Sequence, residues 1–195
     1  SLVKSTADTL GISTDYCSYV AGENCRASVI IEDGDRKFLP SNQGGISKTK
    51  PLKFNRLRKD YCSSFDLIHS SCFSYTETIL PLLKDRGRLV SFDFSDIYDE
   101  AYLKEVCPYI NAALLSAGHK SDNEISHLLE IIHGCGVDIV IMTKGSDGSL
   151  VSYKGNIYRQ SPYYVKPVDT MAAGDAFSAA FLCTFVDNIT YTKDF

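Results

Sequence analysis

A chain of 195 residues, 44% hydrophobic and 23% charged, is long enough for one sizeable core and reads as a single globular domain. Its 20 basic and 24 acidic residues lack the basic excess that nucleic acid or an anionic membrane surface selects, so a small-molecule partner is expected and neither of those. No apolar run approaches the about 18 residues of a membrane span, and Ser1-Leu2-Val3-Lys4 lacks a signal-peptide pattern, which predicts a soluble, cytoplasmic protein.

Leu2, Val3, Ala7 and Leu10 lie at near-helical spacing ahead of Gly11, so a helix is expected to end over 3–10. The pattern then turns extended: 27–31 is strand-like, Asp33-Gly34 is a hairpin turn, and 36–39 resumes the strand, together a β-ribbon. Residues 41–53, rich in Gly, Ser, Asn and Lys, are expected to form a surface loop or a return segment. From Asp66 strands and helices alternate. Residues 66–69 form a strand, 76–86 a helix stopped by Gly87, 89–94 a strand, 99–107 a helix ended by Pro108, and 112–115 a strand. Ser121-Asp122-Asn123-Glu124 is a capping box for a helix with the stripe Ile125, Leu128, Leu129 and Ile132, ending at Gly134. A strand at 139–142 follows, and then a hairpin of 150–153 and 157–159 around Lys154-Gly155-Asn156. This alternation predicts a parallel sheet covered on both faces, with ligand bound beyond the strands' carboxyl ends.

Seven cysteines, Cys17, Cys25, Cys62, Cys72, Cys107, Cys135 and Cys183, form no C-x-x-C pair and are read as mostly buried thiols in a reducing compartment. His69, His119, His127 and His133 show no ligand spacing and are read as structural or exposed.

Asp169-Thr170-Met171-Ala172-Ala173-Gly174-Asp175 is a small-residue turn running into an amphipathic helix. Phe177, Ala180, Phe181, Thr184 and Phe185 recur at i, i+3, i+4, i+7 and i+8, which starts the helix near Gly174. Unpaired N–H groups at a helix start attract anions, and small side chains let a phosphate come close. Asp175 beside such a site suits a general base that takes the proton of a substrate hydroxyl. On these residues alone it reads equally as a first-turn acid favoured by the helix dipole.

The stretch resembles the signature of the ribokinase-like, or PfkB, family of carbohydrate kinases, Asp-Thr-x-Gly-Ala-Gly-Asp followed by a helix, and departs from it at Ala172, where the family has Gly. Covering nearly the whole chain, the resemblance implies a ribokinase-like three-layer αβα sandwich with a mostly parallel sheet and a small β-ribbon lid. It implies one kinase domain over 1–195, with a lid at about 16–40 and an α/β body of 1–15 and 41–195. It also implies an incomplete chain, since the family has a first strand and a sugar-binding Asp before the region matching Leu2, and further helices after Phe195. Asp175 then stands as the catalytic base, and the N–H groups of Ala173 and Gly174 as an anion hole bordered by Ala172. Thr170 falls on the nucleotide side. If the backbone at Ala172 needs a positive φ, an Ala there costs about 1–2 kcal/mol, and its methyl group crowds the phosphate, so that activity is reduced or lost.

Asp93-Phe94-Ser95-Asp96 stands at a strand's carboxyl end, where α/β proteins bind ligands. Asp93 reads as a substrate-side group or as a satisfier of loop amides, and Ser95 or Asp96 as a cap for the next helix. The run Phe92-Asp93-Phe94-Ser95-Asp96, with Asp169-Thr170-Met171, resembles the fructoselysine 6-kinase branch. Thr143-Lys144-Gly145-Ser146-Asp147-Gly148 resembles the family's Thr-x-Gly-x-x-Gly nucleotide loop, with Thr143 and Gly145 lining the nucleotide and Gly148 shaping the loop; a plain strand-to-hairpin turn is the alternative. The family's Asn-x-x-Glu metal relay is not retained at Ser116-Ala117-Gly118-His119, which leaves the metal ligands unassigned, with Asp122 and Glu124 the nearest substitutes. The implied cofactors are ATP and the Mg²⁺ that arrives with it, with room in the resemblance for a monovalent cation. On the ribbon, Asn24 and Arg26 either touch the acceptor, Arg26 suiting a carboxylate-bearing fructosamine, or lie on a solvated face.

Two functions stay open: ATP-dependent phosphorylation of a ketose or a fructosamine such as fructoselysine, and a catalytically impaired, kinase-derived sugar- or nucleotide-binding protein. Because ribokinase-like lids often pair between subunits, a homodimer through residues 24–39 is implied.

Overall fold

The computed structural model describes residues 2–32, 35–84, 89–166 and 169–191, and these form two sheets. β1 (Val29–Glu32) and β2 (Asp35–Phe38) pair antiparallel as a ribbon, Val29 opposite Phe38 and Glu32 opposite Asp35. The expected turn at Asp33-Gly34 lies outside the described residues. The larger sheet takes its strands in chain order: β3 (Leu67–Ser71), β4 (Leu89–Asp93), β5 (Ala112–Ser116), β6 (Ile139–Thr143), β7 (Ser149–Tyr153) and β8 (Asn156–Gln160). β3 to β6 are parallel and β7 and β8 return antiparallel, so the sheet is mostly parallel.

Local chemistry sets the helix ends. α1 (Leu2–Thr9) stops ahead of Gly11, which has φ +71°. The expected loop at 41–53 contains α2 (Gly45–Thr49), and α3 (Arg56–Cys62) follows it, opened by Asn55, whose side chain accepts the Arg58 N–H at 3.0 Å. Both helices are too short to leave a periodicity in the sequence. The helix expected over 76–86 is divided, a 3-10 turn at Glu77–Ile79 leading into α4 (Leu80–Lys84) with Pro81 in its first turn, where a missing N–H costs nothing. Its expected stop at Gly87 lies outside the described residues. Asp99 rather than Ser95 or Asp96 caps α5 (Glu100–Val106), accepting the Tyr102 N–H at 2.8 Å. Pro108 does not end the helical path, because Cys107–Tyr109 continues it as a 3-10 turn. α6 (Asp122–Gly134) begins with the expected capping box.

Strand alternation divides the core in two. Val90, Phe92, Ala113, Leu115, Val140 and Met142 face one way, against Leu80 and Leu83 of α4, Leu103 and Val106 of α5, and Ile125, Leu129 and Ile132 of α6. Ala112, Leu114, Ile139 and Ile141 face the other way, against α7 (Ala173–Tyr191) through Phe177, Phe181, Leu182 and Phe185. Each Val, Leu, Ile, Phe or Met side chain fully buried in this way contributes about 1.5–3 kcal/mol. The expected stripe on α7 is turned: Ser178 and Leu182 are buried beside the phenylalanines, while Ala180 and Thr184 are exposed. The rings of Phe177, Phe181 and Phe185 stack along the helix at 6.5 and 6.1 Å, and Phe185 meets Tyr153 edge-on at 5.5 Å, which fixes that rotation. Cys183 is consequently exposed, as are Cys17 and Cys25; Cys107 is buried and the other three are half-buried, so the expectation of mostly buried thiols is corrected. All seven are free thiols, and no helix of the described residues is long and apolar enough to cross a membrane.

Candidate active site

On the α7 side of the sheet, β4, β5 and β6 stay largely apolar until their carboxyl ends, where the same alternation delivers Asp93, Ser116 and Thr143. Asp93 Oδ1 accepts the Ser95 N–H at 2.7 Å and holds a tight turn in which Ser95 has φ +54°. The Ser95 carbonyl accepts the Ser116 N–H at 2.7 Å, which ties that turn to β5.

Opposite these strand ends α7 begins. The Asp169 carboxylate accepts the Met171 N–H at 2.8 Å, and the turn passes through Ala172 at φ +60°. That is the left-handed conformation anticipated from the sequence, at about 1–2 kcal/mol for an L-residue with a Cβ. The Ala173 N–H donates to Thr170 O at 3.2 Å, and Ala176 N–H to Ala172 O at 2.9 Å. Between them, the N–H groups of Gly174 and Asp175 have no protein acceptor among the described residues. The N–H groups left open at this helix start are thus those of Gly174 and Asp175, while the Ala173 N–H is engaged by Thr170.

Strand ends and helix start enclose a cleft of about 140 Å³. Asp93, Ser95, Ser116 and Thr143 line its sheet side, and Ala172, Gly174, Asp175 and Ser178 its helix side, with Leu114 and Ile141 in its apolar floor. Burial pushes the Asp93 carboxyl above its ordinary range; the Ser95 N–H and His69 oppose this, and the field of Asp175 adds to it. His69, on β3, bonds through Nδ1 to Ser91 Oγ at 2.9 Å, and burial lowers its pKa against the pull of Asp93 and Asp175. His69 is surface-accessible and hydrogen-bonded to Ser91, as the reading of the histidines as structural or exposed expects, and it is not among the residues lining the cleft. The register of β3 on β4 sets it opposite Ser91 on the face that carries Asp93. His133 is structural, bonded to Val137 O and Ser152 Oγ, each at 2.8 Å.

The other sequence-assigned residues lie around the cleft or away from it. In the loop after β6, Lys144 N–H donates to Gly148 O at 2.8 Å and Gly148 N–H to Gly145 O at 3.2 Å. Gly148, at φ +90°, passes so close to the Gln160 carbonyl that a Cβ would collide with it. Gly145 and Gly148 thus shape the loop beside Thr143 without lining the cleft, and Thr170 turns its carbonyl to Ala173. Asn24 and Arg26, read either as acceptor contacts or as a solvated face, are not among the residues lining the cleft. Asn42 clamps their backbone, donating to Asn24 O at 2.7 Å and accepting the Arg26 N–H at 3.0 Å, while Arg26 Nε pairs with Glu23 at 2.7 Å. Asp122 lies 3.6 Å from Arg159, and Glu124 takes part in its capping box, where the Ser121 amide and hydroxyl hold its carboxyl down to about 2. Sequence reasoning passed over Ser116 and Ser178; their only signal is a hydroxyl at a strand end and one helical turn after Asp175.

Residues 105–193, from α5 through α7, match the pfkB family carbohydrate kinase description. The fructosamine kinase FrlD of Bacillus subtilis is 38% identical over 183 residues, covering 92% of this chain and 64% of that protein. The fructoselysine 6-kinase of Escherichia coli is 29% identical over 183 residues, covering 93% of this chain and 68% of its own. The chain therefore spans about two thirds of the length of these curated relatives. Among solved structures, Arabidopsis thaliana ribokinase complexed with ribose and ATP aligns with a TM-score of 0.77 at 22% identity, over 96% of this chain and 66% of that one. Ribokinase from Thermotoga maritima aligns with a TM-score of 0.70 at 23% identity, over 95% and 63%. At these identities the likeness is one of fold, and it makes the α/β sandwich ribokinase-like.

Proposed function

The chain belongs to the pfkB family of carbohydrate kinases, and from that premise we propose that the protein transfers the γ-phosphoryl group of ATP to a hydroxyl of a ketose or fructosamine, of which fructoselysine is the leading candidate. One observation carries the reading: Asp175 and the free N–H groups of Gly174 and Asp175 open on one cleft at the carboxyl ends of the parallel strands. The choice of a fructosamine is supported by the names of the Bacillus subtilis and Escherichia coli relatives.

Asp175 receives the proton of the acceptor alcohol as its oxygen attacks. The two N–H groups offset the negative charge on the group in transfer, in a geometry set before the reaction begins. The donors present fit a triphosphate, because they are backbone N–H groups at the start of a long helix, with no protein acceptor and no large side chain in front. ATP supplies the phosphoryl group, with Thr143 and the loop of Gly145 and Gly148 on its side, and Thr170 in the adjoining turn. Mg²⁺ comes with ATP and keeps several waters of its own. The β1–β2 ribbon serves as a lid and as a dimer contact, which sedimentation of the intact protein checks. Seven free thiols suit a reducing cytoplasm.

A second reading, a kinase-derived binding protein without turnover, is favoured by one feature, the Ala172 methyl at φ +60° on the cleft wall. The deciding experiment measures ADP release from ATP by the intact protein against a panel of ketoses and fructosamines. Turnover with a fructosamine supports the kinase; sugar binding by calorimetry with no ADP formed supports the second reading.

A further inference from the structure

Three serines are buried among the described residues, Ser91, Ser152 and Ser178, and they differ in how their hydroxyls are satisfied. Ser91 Oγ meets His69 Nδ1 at 2.9 Å and the Ile68 carbonyl at 3.4 Å, and Ser152 Oγ meets His133 Nε2 at 2.8 Å. Ser178 is only 7% exposed and its hydroxyl has no hydrogen-bond partner among the described residues. A hydroxyl withdrawn from water and left unpaired destabilises the fold unless a bound group satisfies it. Of the three, only Ser178 lines the cleft.

Its position on α7 indicates which part of a bound pair it meets. Ser178 follows Asp175 by three residues, so the two side chains share a face, and helical side chains lean toward the helix start. Its Oγ therefore leans toward the Asp175 carboxylate. The free N–H groups of Gly174 and Asp175 also face the helix start, where the phosphate belongs, whereas Ser178 sits one turn farther along α7, behind Asp175. A group that touches both Asp175 and Ser178 is on the acceptor's side. Leu114 and Ile141, in the floor beside it, offer no competing hydrogen bond. The carboxylates of Asp93 and Asp175 disfavour an anion there, whereas a neutral hydroxyl can both donate to and accept from a serine.

We propose that Ser178 is a substrate-binding residue whose hydroxyl bonds a second, neutral hydroxyl of the acceptor, next to the one that Asp175 deprotonates, with a water in that place when no acceptor is bound. This rests on the kinase reading of the cleft and adds a residue that reads the acceptor's polyol chemistry.

The test compares the parent with Ser178→Ala and Ser178→Thr in the intact protein, with fructoselysine and ATP as probes. For Ser178→Ala we expect KM for fructoselysine to rise about tenfold, the worth of one buried hydrogen bond, and KM for ATP to stay within about twofold. The ligand-free melting temperature should hold, because without an acceptor the hydroxyl bonds only a water. Ser178→Thr, which keeps the hydroxyl, should return KM for fructoselysine to within about threefold of the parent. An unchanged KM for fructoselysine in Ser178→Ala, the result expected of a site that holds water only, overturns the proposal. So does a lower melting temperature with both KM values unmoved, or a Ser178→Thr protein as weak as Ser178→Ala. Should the parent release no ADP, the kinase reading fails separately, and calorimetry decides Ser178: fructoselysine binding about tenfold weaker in Ser178→Ala supports it, and equal or absent binding overturns it.

Discussion

On the side of the sheet covered by α4, α5 and α6, residues such as Val90, Phe92, Leu115 and Met142 stay apolar along the strands. On the α7 side, apolar burial by Ala112, Leu114, Ile139 and Ile141 gives way at the carboxyl ends to Asp93, Ser116 and Thr143. The same strands build both faces, so the contrast comes from side-chain alternation alone. One face holds the fold together; the other accepts destabilising features at one end. Those features lie around the cleft: Ala172 and Ser95 in left-handed conformations, the unpaired hydroxyl of Ser178, and an Asp93 carboxyl that burial pushes upward. Left-handed residues also occur away from the cleft, at Gln43, Tyr75 and Lys154. Among the described residues, only here do they adjoin a buried unpaired hydroxyl and a half-buried carboxyl, a combination that suits a ligand site better than it suits stability.

Substitutions on the two faces should therefore fail in different ways. Asp175→Asn, on the exposed lip of α7, is expected to lower kcat by about 10²–10⁴-fold while leaving the melting temperature unchanged, as ADP release and circular dichroism would show. Phe92→Ala on the opposite face should do the reverse, costing about 3–5 kcal/mol in urea unfolding with little change in KM. Gly148→Ala forces a Cβ against the Gln160 carbonyl at φ +90° and should cost at least about 1–2 kcal/mol in the same measurement. Ala172→Gly relieves a left-handed residue and should gain about 1 kcal/mol, with kcat equal to or above the parent's. The smallest effect concerns pH. Burial lowers the His69 pKa, so the folded protein binds fewer protons than the unfolded chain once pH falls below the ordinary imidazole value of 6.5. Stability should then decline as pH falls from 6.5 through the folded pKa, and His69→Gln should flatten that part of a melting-temperature profile.

The strongly periodic elements were legible because one physical signal dominated each. The capping box at Ser121 and Glu124, the strand over β6 and the start of α7 fall where hydrophobic spacing and cap chemistry put them. α2 and α3 were not, since five and seven residues carry too few turns for a period, and their ends depend on neighbours elsewhere in the chain. In the site, Asp93, Thr143, Ala172, Gly174 and Asp175 could be found as motifs and do line one cleft. Ser178 could not, because it gains its place from the rotation of α7 that its phenylalanines impose. The placement of Asn24 and Arg26 was hidden for a related reason: the Asn42 side chain, 18 and 16 residues away, decides where their backbone goes.

The most direct test is a crystal structure of the intact protein with a fructosamine and a non-hydrolysable ATP analogue. The account predicts an acceptor hydroxyl within hydrogen-bond reach of the Asp175 carboxylate, about 2.6–3.2 Å, and terminal phosphate oxygens on the Gly174 and Asp175 N–H groups. Phosphates bound away from the start of α7, or an Asp175 carboxylate remote from every hydroxyl of the sugar, would contradict it.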